Sequence, residues 1–156
     1  MAPDALLVYG TGIVGGKVLA LPTTLAMNMH TGISPHYRGS QCAFWPLHNA
    51  EPGMLGATVH ECVADVDAGA IYRVAHARLH AGDDAYAAFA RCVEVGAQLY
   101  VDAVQDLIDG RLHGTPQDLS VGRVYTAAMK GWRQERVVRR KVADGLIRRY
   151  VEAQSR

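Results

Sequence analysis

The chain lacks most of what would tie a protein to a metal, a polyanion or a membrane. Its cysteines are Cys42, Cys62 and Cys92, an odd number, widely spaced and without a C-x-x-C pair. That favours three buried thiols in a reducing compartment over a disulfide framework or a zinc site. Charge of either sign is not in excess, with 16 basic against 15 acidic side chains, so no overall field draws nucleic acid or a membrane surface. No apolar run approaches the ~20 residues that a spanning helix needs. No charged leader followed by an apolar segment opens the sequence, and the expected location is cytoplasmic. Acidic residues are also missing between Asp4 and Glu51.

What is present suits one domain. A chain of 156 residues with 49% hydrophobic composition can bury a core. Basic residues crowd the C-terminal stretch, where Lys130, Arg133, Arg136, Arg139, Arg140, Lys141, Arg148 and Arg149 face few acids. A solvated helix face is the expected reading over an anion site.

Ala5–Tyr9 is a continuous apolar run ending in Gly10-Thr11-Gly12, as a buried parallel strand would. Gly15–Leu21 reads as a short helix stopped by Pro22, and Thr24–Met29 as a second buried strand carrying Asn28 and His30 at or just beyond its carboxyl end. Thr31–Ser40 reads as an irregular loop and Cys42–His48 as a brief helix. Ala57–Val63 and Ala70–Leu79 alternate as the strands of a hairpin, with Asp65, Asp67 and Gly69 in the turn. Asp83 or Asp84 caps a long helix marked by Phe89, Val93, Gly96, Tyr100, Ala103, Val104 and Leu107, which Gly110 ends. After a loop-rich stretch to Gly131, with Tyr125 and Trp132 expected as anchors, a last amphipathic helix is interrupted at Gly145.

Gly10-Thr11-Gly12-Ile13-Val14-Gly15 matches the dinucleotide-binding G-x-G-x-x-G after a strand. Such a site expects an acidic residue about 20 positions later to hold the ribose. The second strand here ends in Asn28-Met29-His30, so the glycines are better read as a turn whose backbone another ligand approaches. Asn28, His30 and Asp67 bring an amide, an imidazole and a carboxylate toward strand ends. Acyl transfer to an amine needs an oxyanion donor, a proton shuttle and a base. Each has a plainer reading: Asn28 as a satisfier of backbone groups, and His30, His36 and His60 with Asp65 and Asp67 as metal ligands, without a recognised ligand spacing. A hydrolase triad of Ser34, His30 and Asp67 lacks a nucleophile elbow. Arg38 suits either an acidic ligand group or a structural ion pair, and Phe44 and Trp45 suit the core.

Pro3–Gly10, Asn28-Met29-His30, Ser34–Gly39, Gly56–His60 and Asp67–Ile71 together resemble the folate-dependent formyltransferases, over roughly Pro3 to Ile108. The resemblance implies an α/β fold: the C-terminal portion of a doubly wound, Rossmann-like domain, with a mixed, mostly parallel sheet flanked by helices. It implies N10-formyltetrahydrofolate as formyl donor and a primary amine of a small acceptor, such as an amino sugar, as recipient. Asn28, His30 and Asp67 become the catalytic residues. Gly10, Thr11, Gly12, Ile13 and Val14 become the pteridine loop, with Asp65 beside it, and Ser34 and Arg38 become acceptor contacts.

The family's H-P-S-L-L-P is replaced by His30-Thr31-Gly32-Ile33-Ser34-Pro35, which leaves the acceptor open. The match also begins at what would be the fourth strand of the family's domain. Residues 1–110 are therefore expected to form an N-terminally truncated catalytic core, and 111–156 a basic, partly helical extension. A sheet without its neighbours exposes an edge that a second copy or a partner chain would cover. The alternative is a catalytically silent subunit that keeps the folate pocket or a partner surface.

Overall fold

The computed structural model describes residues 2–155. A four-stranded sheet has the order β1 (Ala5–Tyr9), β2 (Leu25–His30), β4 (Gly56–Glu61), β5 (Ile71–His76). β1 and β2 run parallel, joined by the short helix α1 (Gly16–Leu19), while β2–β4 and β4–β5 are antiparallel. β3 (Tyr37–Gly39) forms a separate parallel ribbon with β6 (Arg123–Tyr125). With the helices α2 (Trp45–His48), α3 (Ala85–Ile108), α4 (Trp132–Ala143) and α5 (Leu146–Gln154), this is the mixed α/β architecture expected.

Period-two alternation in β2 and β4 divides the sheet into two unlike faces. Met27, Met29 and Val59 point to one side and form a cluster with Ala103, Leu99, Tyr100 and Leu107 of α3. Asn28, His30, Thr58 and His60 occupy the alternate positions, with Asn28 opposite His60 and His30 opposite Thr58. α3 approaches closely at Gly96, where a Cβ would lie 2.9 Å from Met29 Sδ and 3.0 Å from Ala57 Cβ; only glycine allows that contact. Asp84 caps α3, its side chain accepting from Ala87 N at 2.8 Å.

A second cluster joins Leu47, Leu55, Leu79, Ala88 and Cys92 to Val138 of α4 and Ile147 of α5. The 111–156 stretch thus shares a core with earlier residues. Its helices part at Gly145, whose φ is +82°.

Several expectations change. β1 is an edge strand, with Leu7 50% and Tyr9 43% exposed, because it pairs only with β2 among the described strands. Thr31–Ser40 is not wholly irregular, since β3 lies within it and borrows its partner from residues 123–125. The helix expected from Cys42 begins at Trp45. On α3 the buried positions are Ala88, Cys92, Gly96 and Ala103, while Phe89 is half exposed. Tyr125 is buried and stacks on Trp45 at 4.6 Å, whereas Trp132 is 68% exposed under the Arg133 guanidinium. Of the thiols, Cys42 and Cys92 are buried and Cys62 is only partly so.

Candidate active site

β2 places Asn28 and His30 on one face because two residues separate them. Both lie within the strand rather than beyond it. Asp67 arrives from the loop after β4 with a left-handed φ of +49°, a conformation Asp tolerates better than most side chains. The loop brings the carboxylate back over β2.

Asp67 Oδ2 lies 3.3 Å from His30 Nδ1 and accepts from Gly39 N at 2.7 Å. Oδ1 lies 3.2 Å from His60 Nε2 and 3.5 Å from Asn28 Nδ2. Asn28 Nδ2 is in turn 3.3 Å from His60 Nε2. His30 Nε2 sits 2.9 Å from the Tyr37 carbonyl, and His60 Nδ1 2.7 Å from that of Glu61. The three residues expected from sequence meet around one carboxylate, and His60 joins them.

Burial pushes the His30 pKa below its ordinary 6.5, against the opposing pull of Asp67 and the Tyr37 carbonyl. Burial alone would raise the Asp67 pKa. The hydrogen bond from His60, the nearby His30 and the Gly39 N–H outweigh it, so the carboxyl sits below its ordinary 3.8 and stays ionised. Both nitrogens of His30 face acceptors. A neutral ring must turn a lone pair toward one of them, and taking up a proton completes both hydrogen bonds. That is a useful property in a proton carrier.

Thr58 Oγ1 braces the 31–35 segment, donating to Gly32 O at 2.7 Å and accepting from Ser34 N at 3.1 Å. The Ser34–Pro35 peptide is cis. Ser34 is buried, and its Oγ has no hydrogen-bond partner. Arg38 is also buried; its guanidinium donates to Pro35 O at 3.1 Å and Leu119 O at 3.3 Å, carbonyls rather than a carboxylate. Gly10–Val14 follows β1 at the sheet end where β2 terminates in His30. A side chain at Gly10 or Gly12 would meet nothing within 4 Å, so that backbone is open to a ligand. Asp65 is exposed in the same loop as Asp67.

Sequence reasoning weighed His60 only as a metal ligand; the missed signal was register, which sets it opposite Asn28. Gln117 was missed altogether. Its Nε2 donates to Asp67 O at 3.0 Å and Gly69 O at 2.6 Å, and bonds to backbone carbonyls leave no residue pattern to read. Beside Thr31 lies a cavity of about 720 Å³, walled by Phe44, Tyr86, Phe89, Lys130 and Val142. Its lining does not include the trio.

The family model described as Formyl transferase matches residues 2–104. The methionyl-tRNA formyltransferase of Lacticaseibacillus casei is 30% identical over 119 residues, covering 76% of this chain and 37% of that protein. The chain therefore spans little more than a third of that relative. Among solved structures, the formyltransferase PseJ of Anoxybacillus kamchatkensis, in complex with UDP-4,6-dideoxy-4-formamido-L-AltNAc and tetrahydrofolate, superposes with a TM-score of 0.72. It is 20% identical and is covered over 81% of this chain and 66% of its own. A 4-N formyltransferase from Francisella tularensis gives 0.71 at 16% identity, over 87% and 59%. With the fold, the ordered motifs and the matched two-thirds of its length in agreement, this chain belongs to the formyl transferase family.

Proposed function

We propose that the chain carries the reaction centre for moving a formyl group from N10-formyltetrahydrofolate to a primary amine of a small acceptor, an amino sugar. The observation that carries this reading is the meeting of Asn28, His30 and Asp67 around one carboxylate. The donor supplies a formyl carbon already activated on nitrogen. A hydrogen of the Asn28 amide stabilises the negative charge that develops on the formyl oxygen. Asp67, ionised beside His30, takes the proton lost by the attacking amine, directly or through water. His30 holds that proton at Nδ1 and returns it to the leaving nitrogen.

The backbone of Gly10–Val14, with Asp65 beside it, suits the hydrogen-bonding edge of a pterin, and its open glycines support the fit. The unpartnered Ser34 Oγ and the remaining donors of Arg38 are the proposed acceptor contacts. An amino sugar is favoured because the PseJ structure carries a nucleotide-linked formamido sugar. The free edge of β1, with Leu7 and Tyr9 exposed, is the proposed seat of a second polypeptide or copy that completes the working enzyme.

The test is tetrahydrofolate release from the formyl donor, using the purified chain and a panel of nucleotide-linked amino sugars. Release at least about tenfold above that of His30→Ala supports the reading, and equal rates overturn it. Titration with a folate analogue separates a silent folate-binding subunit from a chain that has lost the pocket.

A further inference from the structure

We infer that residues 115–125, beyond the part of the chain that the family model matches, form a strap that positions the reacting carboxylate, with Gln117 as the positioning residue for Asp67; this rests on the reading just proposed and deepens it. The match ends at residue 104, and Asn28, His30 and Asp67 all fall within it. The loop that carries Asp67 is nevertheless held from outside. Thr115 exchanges two backbone hydrogen bonds with Ile71, each 2.8 Å, where that loop enters β5. Gln117 Nε2 donates to Asp67 O at 3.0 Å and to Gly69 O at 2.6 Å. Farther on, Arg123 N donates to His36 O at 2.9 Å, and Tyr125 O accepts from Ser40 N at 2.7 Å, so the strap ends by embracing β3.

The strap thereby joins two segments that must meet for the carboxylate to be placed. One is the 67–71 loop. The other is β3, whose last residue, Gly39, gives its N–H to Asp67 Oδ2 at 2.7 Å. The strap is seated on β3 and its approach without room for a side chain: a Cβ at Gly122 would lie 2.2 Å from Pro35 O, and one at Gly39 would lie 2.2 Å from Tyr125 O. Asp67 needs such a hold, because its φ of +49° is costly for any residue but glycine and persists only where the surroundings fix it. Gly69 is pressed against β4, where a Cβ would lie 2.0 Å from Glu61 O. Gln117 fixes both ends of the 67–69 turn at once, since two hydrogens on one nitrogen meet two carbonyls. Its Oε1 is buried and has no hydrogen-bond partner. Turning the amide over would set that oxygen against both carbonyls, so the clamp has one sense.

Three substitutions grade the hold. Gln117→Met keeps the length and removes both donors, Gln117→Glu keeps the shape and sets a carboxylate against the two carbonyls, and Gln117→Asn keeps the donors one methylene short. In the ¹⁵N-labelled full chain at pH 8, the Gly39 amide proton, bound to an ionised carboxylate, is expected downfield and slow to exchange. Gln117→Met should move it upfield, speed its exchange, and lower kcat about ten- to a hundredfold with the donor KM within about threefold of the parent. Gln117→Glu should match it, and Gln117→Asn should fall between. A lower thermal midpoint with kcat per folded molecule and the Gly39 amide unchanged would overturn the assignment, as would a fall in kcat that leaves Gly39 unmoved. If none of the three folds, the wild-type Gln117 side chain decides: both amide hydrogens are expected to exchange slowly, and free exchange overturns the clamp. Should the wild-type chain show no formyl transfer, the functional reading fails while the Gly39 amide still judges the strap.

Discussion

The two faces of one sheet do opposite work. On the α3 side, Met27, Met29 and Val59 are buried against Ala103 and its neighbours, and the Tyr100 hydroxyl among them is spent on the backbone of Val8 and Met27. One residue over on the same strands, Asn28, His30, Thr58 and His60 share a face with ionised Asp67. The apolar side gains from exclusion of water and tolerates no gap. The polar side carries desolvation costs that are offset only by pairing every group. Strand β2 supplies both, so site geometry and core packing share one backbone. Activity should therefore depend chiefly on the polar face, and stability on both.

The largest effects are expected on the polar face. His30→Ala and Asn28→Ala should each lower kcat about 10²- to 10³-fold and cost about 1 to 3 kcal/mol of stability by removing a partner of buried Asp67, measured by tetrahydrofolate release and calorimetry. A midpoint collapse in either would show that the polar face is structural first. Met27→Ala on the opposite face should cost about 2 to 5 kcal/mol in denaturant unfolding, with activity per folded molecule preserved. Thr58→Val is intermediate, since it keeps the shape but strands Gly32 O and Ser34 N. It should cost about 1 to 3 kcal/mol and also loosen the 31–35 segment, seen as faster amide exchange there.

The smallest effect is the pH dependence. The unfolded chain protonates His30 near its ordinary 6.5 while the folded site resists, so stability is lost as pH falls below about that value. Asp67, whose pKa lies below 3.8 when folded, adds a further loss in stronger acid. His30→Gln should flatten the upper part of that slope, at most about 1.4 kcal/mol per pH unit.

These faces were half legible beforehand. Thr24–Met29 read as a buried strand and Ala57–Val63 as an alternating one, with Asn28 and His30 expected at the carboxyl end of the first. The hairpin, the Asp84 cap and the break at Gly145 follow from local residue chemistry, which depends on near neighbours alone. The β3–β6 ribbon did not show, because Tyr37 and Arg123 are paired by a long return of the chain rather than by pattern. Trp132 misled because a large aromatic suits both a core and a surface lid over which Arg133 lies.

By itself the sequence determined the main element types and the ordered motifs that carry the family resemblance, since these depend on residue chemistry at fixed short spacings. Only the tertiary structure decided that Asp67 turns back over β2 in a left-handed conformation, that Gln117 grips its loop from fifty residues on, and that His60 joins Asn28 at the carboxylate. The reason is physical: those contacts run through strand register and backbone carbonyls, which every residue possesses and no motif records.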